Sequence, residues 1–453
     1  MILMSLKARA LKFVSDSSPH RLADEEISAA TVIKKIRRRL LPFLALCLIA
    51  NYLDRVNIGF AALSMNKDLN LSPLTFGLGS GVFFLTYALF EVPSNIILER
   101  VGARLWIARI LLSWGLVSAL MAFAWNDTSF LILRLLLGLA EAGFVPGVVL
   151  YLTYWMPYSY RAVAISGFML AIPVSSIIGA PISGLILNAT EGLFGLKSWQ
   201  WLFLLEATPS LLLGALAFIY LTDKPKNASW LTEQEKLWLE ERLESERPTV
   251  QDQKNDHSFW RLILNRHVAL LSMIYFGVVL TLYGLVFWLP QIVHDFGYGT
   301  LGVSLLTALP YLIGAIAMIL WSRYVDQHEG HVPHAIYAAL LSSLGLGACT
   351  FLSAPLPTIF ALCLSAAGTF GMFPIFWTLA TAQLAPKQAA GAIALINSFA
   401  ALAGFLGPYL VGWIKDTTGA FHYALPLLAL GPLISAILLF LLWRKQISST
   451  ASV

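Results

Sequence analysis

Asp54 and Arg55 stand side by side in "NYLDRVNIGF" (51–60), inside an apolar run that extends from Leu40 to Met65. A carboxylate there can take up a proton, and a guanidinium can grip a carboxylate with two parallel hydrogen bonds while staying charged at any working pH. If the run crosses a bilayer, each charge costs on the order of 2.5–3.5 kcal/mol near the centre, so each needs a partner. Neighbouring positions point about 100° apart around a helix, so these two need not share one. Arg134 and Glu141 lie seven residues apart in another apolar run. That is two turns on one face and about 10 Å along the axis, too far for one tight pair. The simplest allocation sends Arg55 to an anionic substrate and Asp54 toward a proton-handling network with Arg134 and Glu141. The alternative is a fixed charge network that only holds helices together. Glu206, Glu91 and Arg109 are the other charges inside apolar runs; Arg109, near a span end, is expected to snorkel and Glu91 to serve packing or gating. No histidine falls near the centre of such a run.

The elements that must position these groups are membrane helices. Hydrophobic residues make up 58% of the 453-residue chain and charged ones 12%, about half the charge a water-facing surface needs. The apolar residues fall into twelve blocks, from 41–64 to 421–443, each near the twenty or so residues that span the hydrocarbon. Loops on the side of the two termini carry 24 Lys and Arg, against three on the other side. The positive-inside rule then makes both termini and the long middle loop cytoplasmic, in a multi-pass protein of the cell inner (plasma) membrane. The net charge of +5 therefore reports topology, not nucleic-acid binding. Residues 1–33 lack the apolar core of a cleavable signal. Cys47, Cys349 and Cys363 lie in apolar spans without metal-ligand spacing and read as packing residues. No phosphate-binding Gly-x4-Gly-Lys-Ser/Thr and no catalytic His/Cys/Asp grouping occurs, which excludes an ATP-driven pump and leaves an enzyme without its groups.

The segment 222–267 is the long polar stretch within the chain. Its "TEQEKLWLEERLESE" (232–246) has a capping-box spacing from Thr232 to Glu235 and apolar residues at helical intervals, which predicts an amphipathic helix. It divides the chain into a basic N-terminus (1–40), a six-helix bundle (41–221), the linker (222–267), a second six-helix bundle (268–443) and a tail (444–453). An offset of 227 residues superposes span 1 on span 7, Glu99 on Asp326 and Pro181 on Pro408. Parallel six-helix repeats with a site between them are a transporter arrangement. The same offset sets Thr281 against Asp54, Ala361 against Arg134 and Gly368 against Glu141. The charges thus belong to the first bundle alone, which argues against a purely structural need for them.

The loop "NIILERVGARLW" resembles the Gly-x3-Asp-Arg-x-Gly-Arg-Lys signature of the major facilitator superfamily through Glu99, Arg100, Gly102 and Arg104, departing at Asn95 and Glu99. A degraded second copy retains Asp326 but has Ser322 for Gly. Arg134-x3-Gly138 resembles the superfamily's span-4 motif and Gly179-Ala180-Pro181 its span-5 motif. Within the superfamily, "YLDRVNIGFA", "EVPSN", "GARLWIARI", "EAGFVPGVVLYLTYW" and "WQWLFLLEA" resemble the anion:cation symporter family, over nearly all of 31–443. The resemblance implies an all-α fold of twelve transmembrane helices in two pseudo-symmetric bundles. It implies proton-coupled uptake of a small organic anion by alternating access. The expected cargo is a hydroxydicarboxylate such as tartrate, or else an aromatic or sugar acid, and a proton-antiporting exporter of the same fold is the more distant alternative. By position, Asp54 and Glu141 are implied as protonation sites and Arg134 as the residue controlling Glu141. Arg55 is implied as the substrate contact, with Tyr52, Tyr87, Trp377 and Asn397 in the cavity. Glu99, Arg100, Gly102, Arg104 and Asp326 form the implied cytoplasmic gate. No cofactor beyond the proton gradient, no metal, no nucleic acid and no second chain are expected; the partners are the anion, protons and the bilayer.

Overall fold

In hydrocarbon every peptide N–H and C=O must find its partner within the chain, and a helix does so locally. The computed structural model describes residues 19–246, 265–328, 330–383 and 389–450, and the regular structure among them is helical. Helix α1 (Pro19–Asp68) carries the basic segment and the first span; α2 (Pro73–Val101) and α3 (Ala103–Leu120) follow. The fourth span is broken into α4 (Asp127–Glu141) and α5 (Phe144–Thr153), because Gly143 takes a left-handed φ of 85° between them. The fifth is α6 (Tyr158–Met169) with α7 (Ala171–Ala189), and α8 (Ser198–Tyr220) closes the half. After the linker helix α9 (Glu233–Ser245) come α10 (Arg266–Val286) and the short α11 (Leu289–His294). The chain continues through α12 (Thr300–Gln327), α13 (His331–Ala348), α14 (Pro355–Gln383), α15 (Ala389–Thr418) and α16 (Ala424–Thr450).

Among the described residues eleven helical stretches are long and apolar enough to cross a membrane. The expected span not among them is the ninth, α13, which falls short because its first turn carries His331, Pro333 and His334. The packing repeats as the sequence offset does. α1 lies against α7 and α8, α2 against α4, and α3 against α8. Six spans later α10 lies against α15 and α16, α12 against α14, and α13 against α16. Between the halves, α2 meets α15 and α7 meets α12, so the second span of each half touches the fifth of the other.

These inter-bundle contacts gather away from the termini. Phe76 packs edge-on against Trp288 at 4.9 Å, and the Trp288 indole donates to the Pro408 carbonyl at 3.0 Å. Gly184 of α7 abuts Ser304 of α12. Toward the termini, polar Thr378, Thr381, Asn397 and Ser398 are exposed, and the cleft between the bundles opens to that side.

The linker helix begins as expected, with the Thr232 hydroxyl accepting from Glu235 N and the Glu235 carboxylate accepting from Thr232 N. It docks on the first bundle. Lys35 pairs with Glu235 at 2.8 Å, Trp155 stacks on Trp230 at 5.2 Å, and Leu239 is fully buried.

Candidate buried-charge site between the bundles

The site is built where α1, α2 and α4 converge. Gly138 lets α4 close on α2, since a Cβ there would fall 2.2 Å from the Phe83 carbonyl oxygen. That approach brings Arg134 against the α2 backbone, where Nε donates to Gly79 O at 2.9 Å and Nη2 to Ser80 O at 3.4 Å. Its guanidinium lies 5.1 Å from the Phe83 ring centre. Each acceptor is a helical carbonyl, which has a second lone pair to offer.

Glu141 is the last residue of α4, at the negative end of its helix dipole. An ionised carboxylate there needs a cation, and Arg55 supplies it: Arg55 Nη2 donates to Glu141 Oε1. The two side chains are 6% and 1% exposed, so neither has water as an alternative partner. Tyr52, Phe83 and Tyr87 surround the guanidinium with ring centres at 4.9, 5.2 and 5.5 Å. From the other bundle, the Tyr283 hydroxyl stands 3.5 Å from Arg55 Nη1, at the outer limit of a hydrogen bond. Arg55 Nε, Glu141 Oε2 and both amide atoms of the fully buried Asn51 have no hydrogen-bond partner among the described residues. The site therefore holds unspent donors and acceptors next to a paired charge.

Asp54 looks the other way. Ser118 Oγ and Ser210 Oγ donate to it at 2.7 and 2.6 Å, and Trp114 Nε1 at 3.0 Å. The network expected around Asp54, Arg134 and Glu141 is thus arranged differently: Glu141 goes to Arg55, Arg134 to backbone carbonyls, and Asp54 to neutral donors of α3 and α8. In the second bundle Thr281, at the position matched to Asp54, donates to Leu428 O at 2.8 Å and is satisfied inside its own bundle.

Of the cavity residues named from sequence, Tyr52 and Tyr87 join Arg55. Trp377 lies instead in an aromatic group with Tyr275 and Phe376, with ring centres 5.1 and 5.4 Å from its own. Tyr275 is eight residues before Tyr283 on α10, about 12 Å toward the termini along the axis. Asn397 is exposed on α15. At the expected gate Glu99 and Arg100 are exposed. Gly102, at φ 101°, packs against Asp223, which accepts from Arg104 N at 2.8 Å. The tie joins the first bundle to the start of the linker and does not reach the second bundle. The Asp326 side chain lies outside what the structure describes. Reading the residues alone missed Tyr283, Asp223 and the donors Trp114, Ser118 and Ser210. Only Tyr283 had a signal, one residue beyond the position matched to Arg55 by the 227-residue offset.

Among the described residues no group of His, Cys, Asp or Glu has metal-binding geometry, and the three cysteines are buried. A family model described as Major Facilitator Superfamily matches residues 44–408. The "Putative tartrate transporter" of Agrobacterium vitis is 45% identical over 420 residues, covering 92% of each chain. The "Quinolone resistance transporter" of Acinetobacter baumannii is 36% identical over 415 residues, 91% of this chain and 95% of that one. Among solved structures, a bacterial homologue of the human lysosomal transporter Spinster, inward-facing and unoccupied, matches with a TM-score of 0.73 at 17% identity. That likeness covers 91% of this chain and 98% of the other.

Proposed function

The chain belongs to the major facilitator superfamily, a transporter and not an enzyme, and from that premise we propose that it imports a small organic anion together with protons. The observation that carries this reading is Arg55, held between the bundles in an aromatic enclosure with its Nε free and Nη2 occupied by Glu141. A substrate carboxylate and the Glu141 carboxylate compete for one guanidinium. Protonating Glu141 removes the competitor, so the anion binds where the proton has already bound. The loaded site then carries Arg55 neutralised by substrate and Glu141 neutralised by its proton, and rocking of the bundles moves it across. An empty, unprotonated carrier keeps the Arg55–Glu141 pair closed.

Tartrate-like hydroxydicarboxylates are the proposed cargo, supported by the relative named for tartrate; an aromatic or sugar acid fits the same guanidinium. A single chain in the inner membrane with cytoplasmic termini, needing no cofactor beyond the gradient, completes the reading. The relative named for quinolone resistance favours a second reading, export by proton antiport.

The test is uptake of labelled tartrate, a sugar acid, 4-hydroxyphenylacetate and a cationic dye into proteoliposomes, with and without an inward proton gradient. Accumulation of one acid on the gradient, abolished by Arg55→Ala, is the expected result. Dye extrusion, or acid uptake indifferent to the gradient, would refute the import reading.

A further inference from the structure

One buried acid has no part in that scheme. Glu206 sits in α8, 3% exposed, one turn before Ser210. Ser183 of α7 donates to its Oε1 at 2.7 Å, while Oε2 is buried without a hydrogen-bond partner among the described residues. Asn57, one turn along α1 from Asp54, is fully buried with both amide atoms unpartnered, and it lies beside Glu206 without a well-formed hydrogen bond to it. These groups stack in two layers inside the first bundle. Asn57, Ser183 and Glu206 form the layer farther from the termini; Asp54, Ser118, Ser210 and Trp114 form the next.

The charged group that faces Glu206 is Asp54. Around them α3 contributes Ser118 and Trp114, α7 contributes Ser183, and α8 contributes Ser210. Arg55 is turned to Glu141, Arg109 to the Trp106 ring and Arg161 to the Met156 carbonyl. Neither acid has a salt-bridge partner among the described residues. Two ionised carboxylates without a cation, buried inside the bundle, would cost several kcal/mol each. A glutamine at 206 could accept the same Ser183 bond without any charge, so what the acid adds is a place for a proton.

We infer that Glu206 is a proton-relay site that loads Asp54 along this polar column, inside the first bundle and apart from the cleft that holds Arg55. The inference rests on the proton-coupled reading above and extends it with a route. The transfer balances simply: the proton that leaves the Glu206 carboxyl is the one the Asp54 carboxylate gains, and the net charge of the pair is unchanged. Ser183 neighbours Gly184, whose contact with Ser304 closes the outer layer in this state. Parting of the bundles on that side would open the column to the outer solution, and their closing would seal it.

The test uses the full-length carrier, wild type against Glu206→Gln and Glu206→Asp. Infrared difference spectra in water and heavy water read buried protonated carboxyls whether or not tartrate is cargo. Labelled tartrate gives exchange without a gradient and uptake with one. The expected result is that Gln removes a carboxyl's share of the protonated band, slows gradient-driven uptake by about tenfold or more, and leaves exchange intact, while Asp restores the band and the uptake. A band unaltered by Gln means Glu206 holds no proton, and equal loss of exchange and uptake means its role is structural; either overturns the inference. Absence of gradient-driven uptake in the wild type would instead remove the function proposed above, and the infrared band would still decide whether Glu206 is a proton site.

Discussion

Arg55 and Glu141 neutralise each other where water cannot, and the consequences for stability are asymmetric. Removing one member of a buried pair leaves the other uncompensated, at about 3–5 kcal/mol, whereas removing both leaves only a packing defect. Arg55→Ala is therefore expected to lower the melting temperature of the purified carrier strongly, and Arg55→Ala with Glu141→Gln to recover most of the loss without recovering transport. Thermal unfolding of the two variants against wild type checks this; a double variant no more stable than Arg55→Ala would mean the pair is not what holds this region. That adjacent Asp54 and Arg55 must serve different partners was legible from their separation around the helix. Which partners was not. Serine and tryptophan are ordinary in membrane helices, so nothing in the residues around Ser118, Ser210 or Trp114 marked them as donors to Asp54. Arg134 and Glu141 share a face of α4, yet the break at Gly143 and the close approach at Gly138 give them separate surroundings. Those depend on α2, some fifty residues away.

At the scale of elements, α9 shows the same division between local and distant. Its start was readable because Thr232 and Glu235 are three residues apart and satisfy each other's backbone. Its docking was not, because Lys35 and Trp155 come from far along the chain. Burial by itself would raise the Glu235 carboxyl. Hydrogen bonds from Lys35 Nζ and the Thr232 backbone N–H outweigh it and hold the group below the usual glutamate range. A group depressed in the folded state stabilises above its unfolded value, near pH 4.3, and loses that contribution as pH falls through the folded one. With the intrinsic pH dependence of exchange divided out, the protection of the α9 amides should thus be constant from neutrality to about pH 5 and fall only below about pH 4. Lys35 is half exposed, which limits the effect to about 1 kcal/mol or less. Glu235→Gln should abolish the acid step; an acid step that survives it would assign the pH dependence to another group.

For the whole molecule, the half-chain offset read from a few matched prolines and acids has its counterpart in the packing, where the largest contacts of the first six spans recur six spans later. The ninth span was equally legible as an apolar block, although the histidines at the start of α13 dilute it. What no offset could show is which side of the cleft is shut, because both ends of a symmetric repeat read alike. The answer lies in small inter-bundle contacts such as Gly184 on Ser304, where a Cβ would fall 2.1 Å from the hydroxyl. Gly184→Trp cannot fit there while the bundles touch, so it should hold that side apart and tip the carrier toward opening away from the termini. Asn397→Cys, exposed on the terminal side, provides the reporter, since Cys47, Cys349 and Cys363 are buried and add little background. Maleimide labelling of Asn397→Cys should be fast alone and markedly slower with Gly184→Trp added, and Gly184→Trp in the otherwise native chain should lose uptake while retaining ligand binding. Labelling as fast as before would show that the two bundles close through some other contact, and that the seal at Gly184 does not set the resting state.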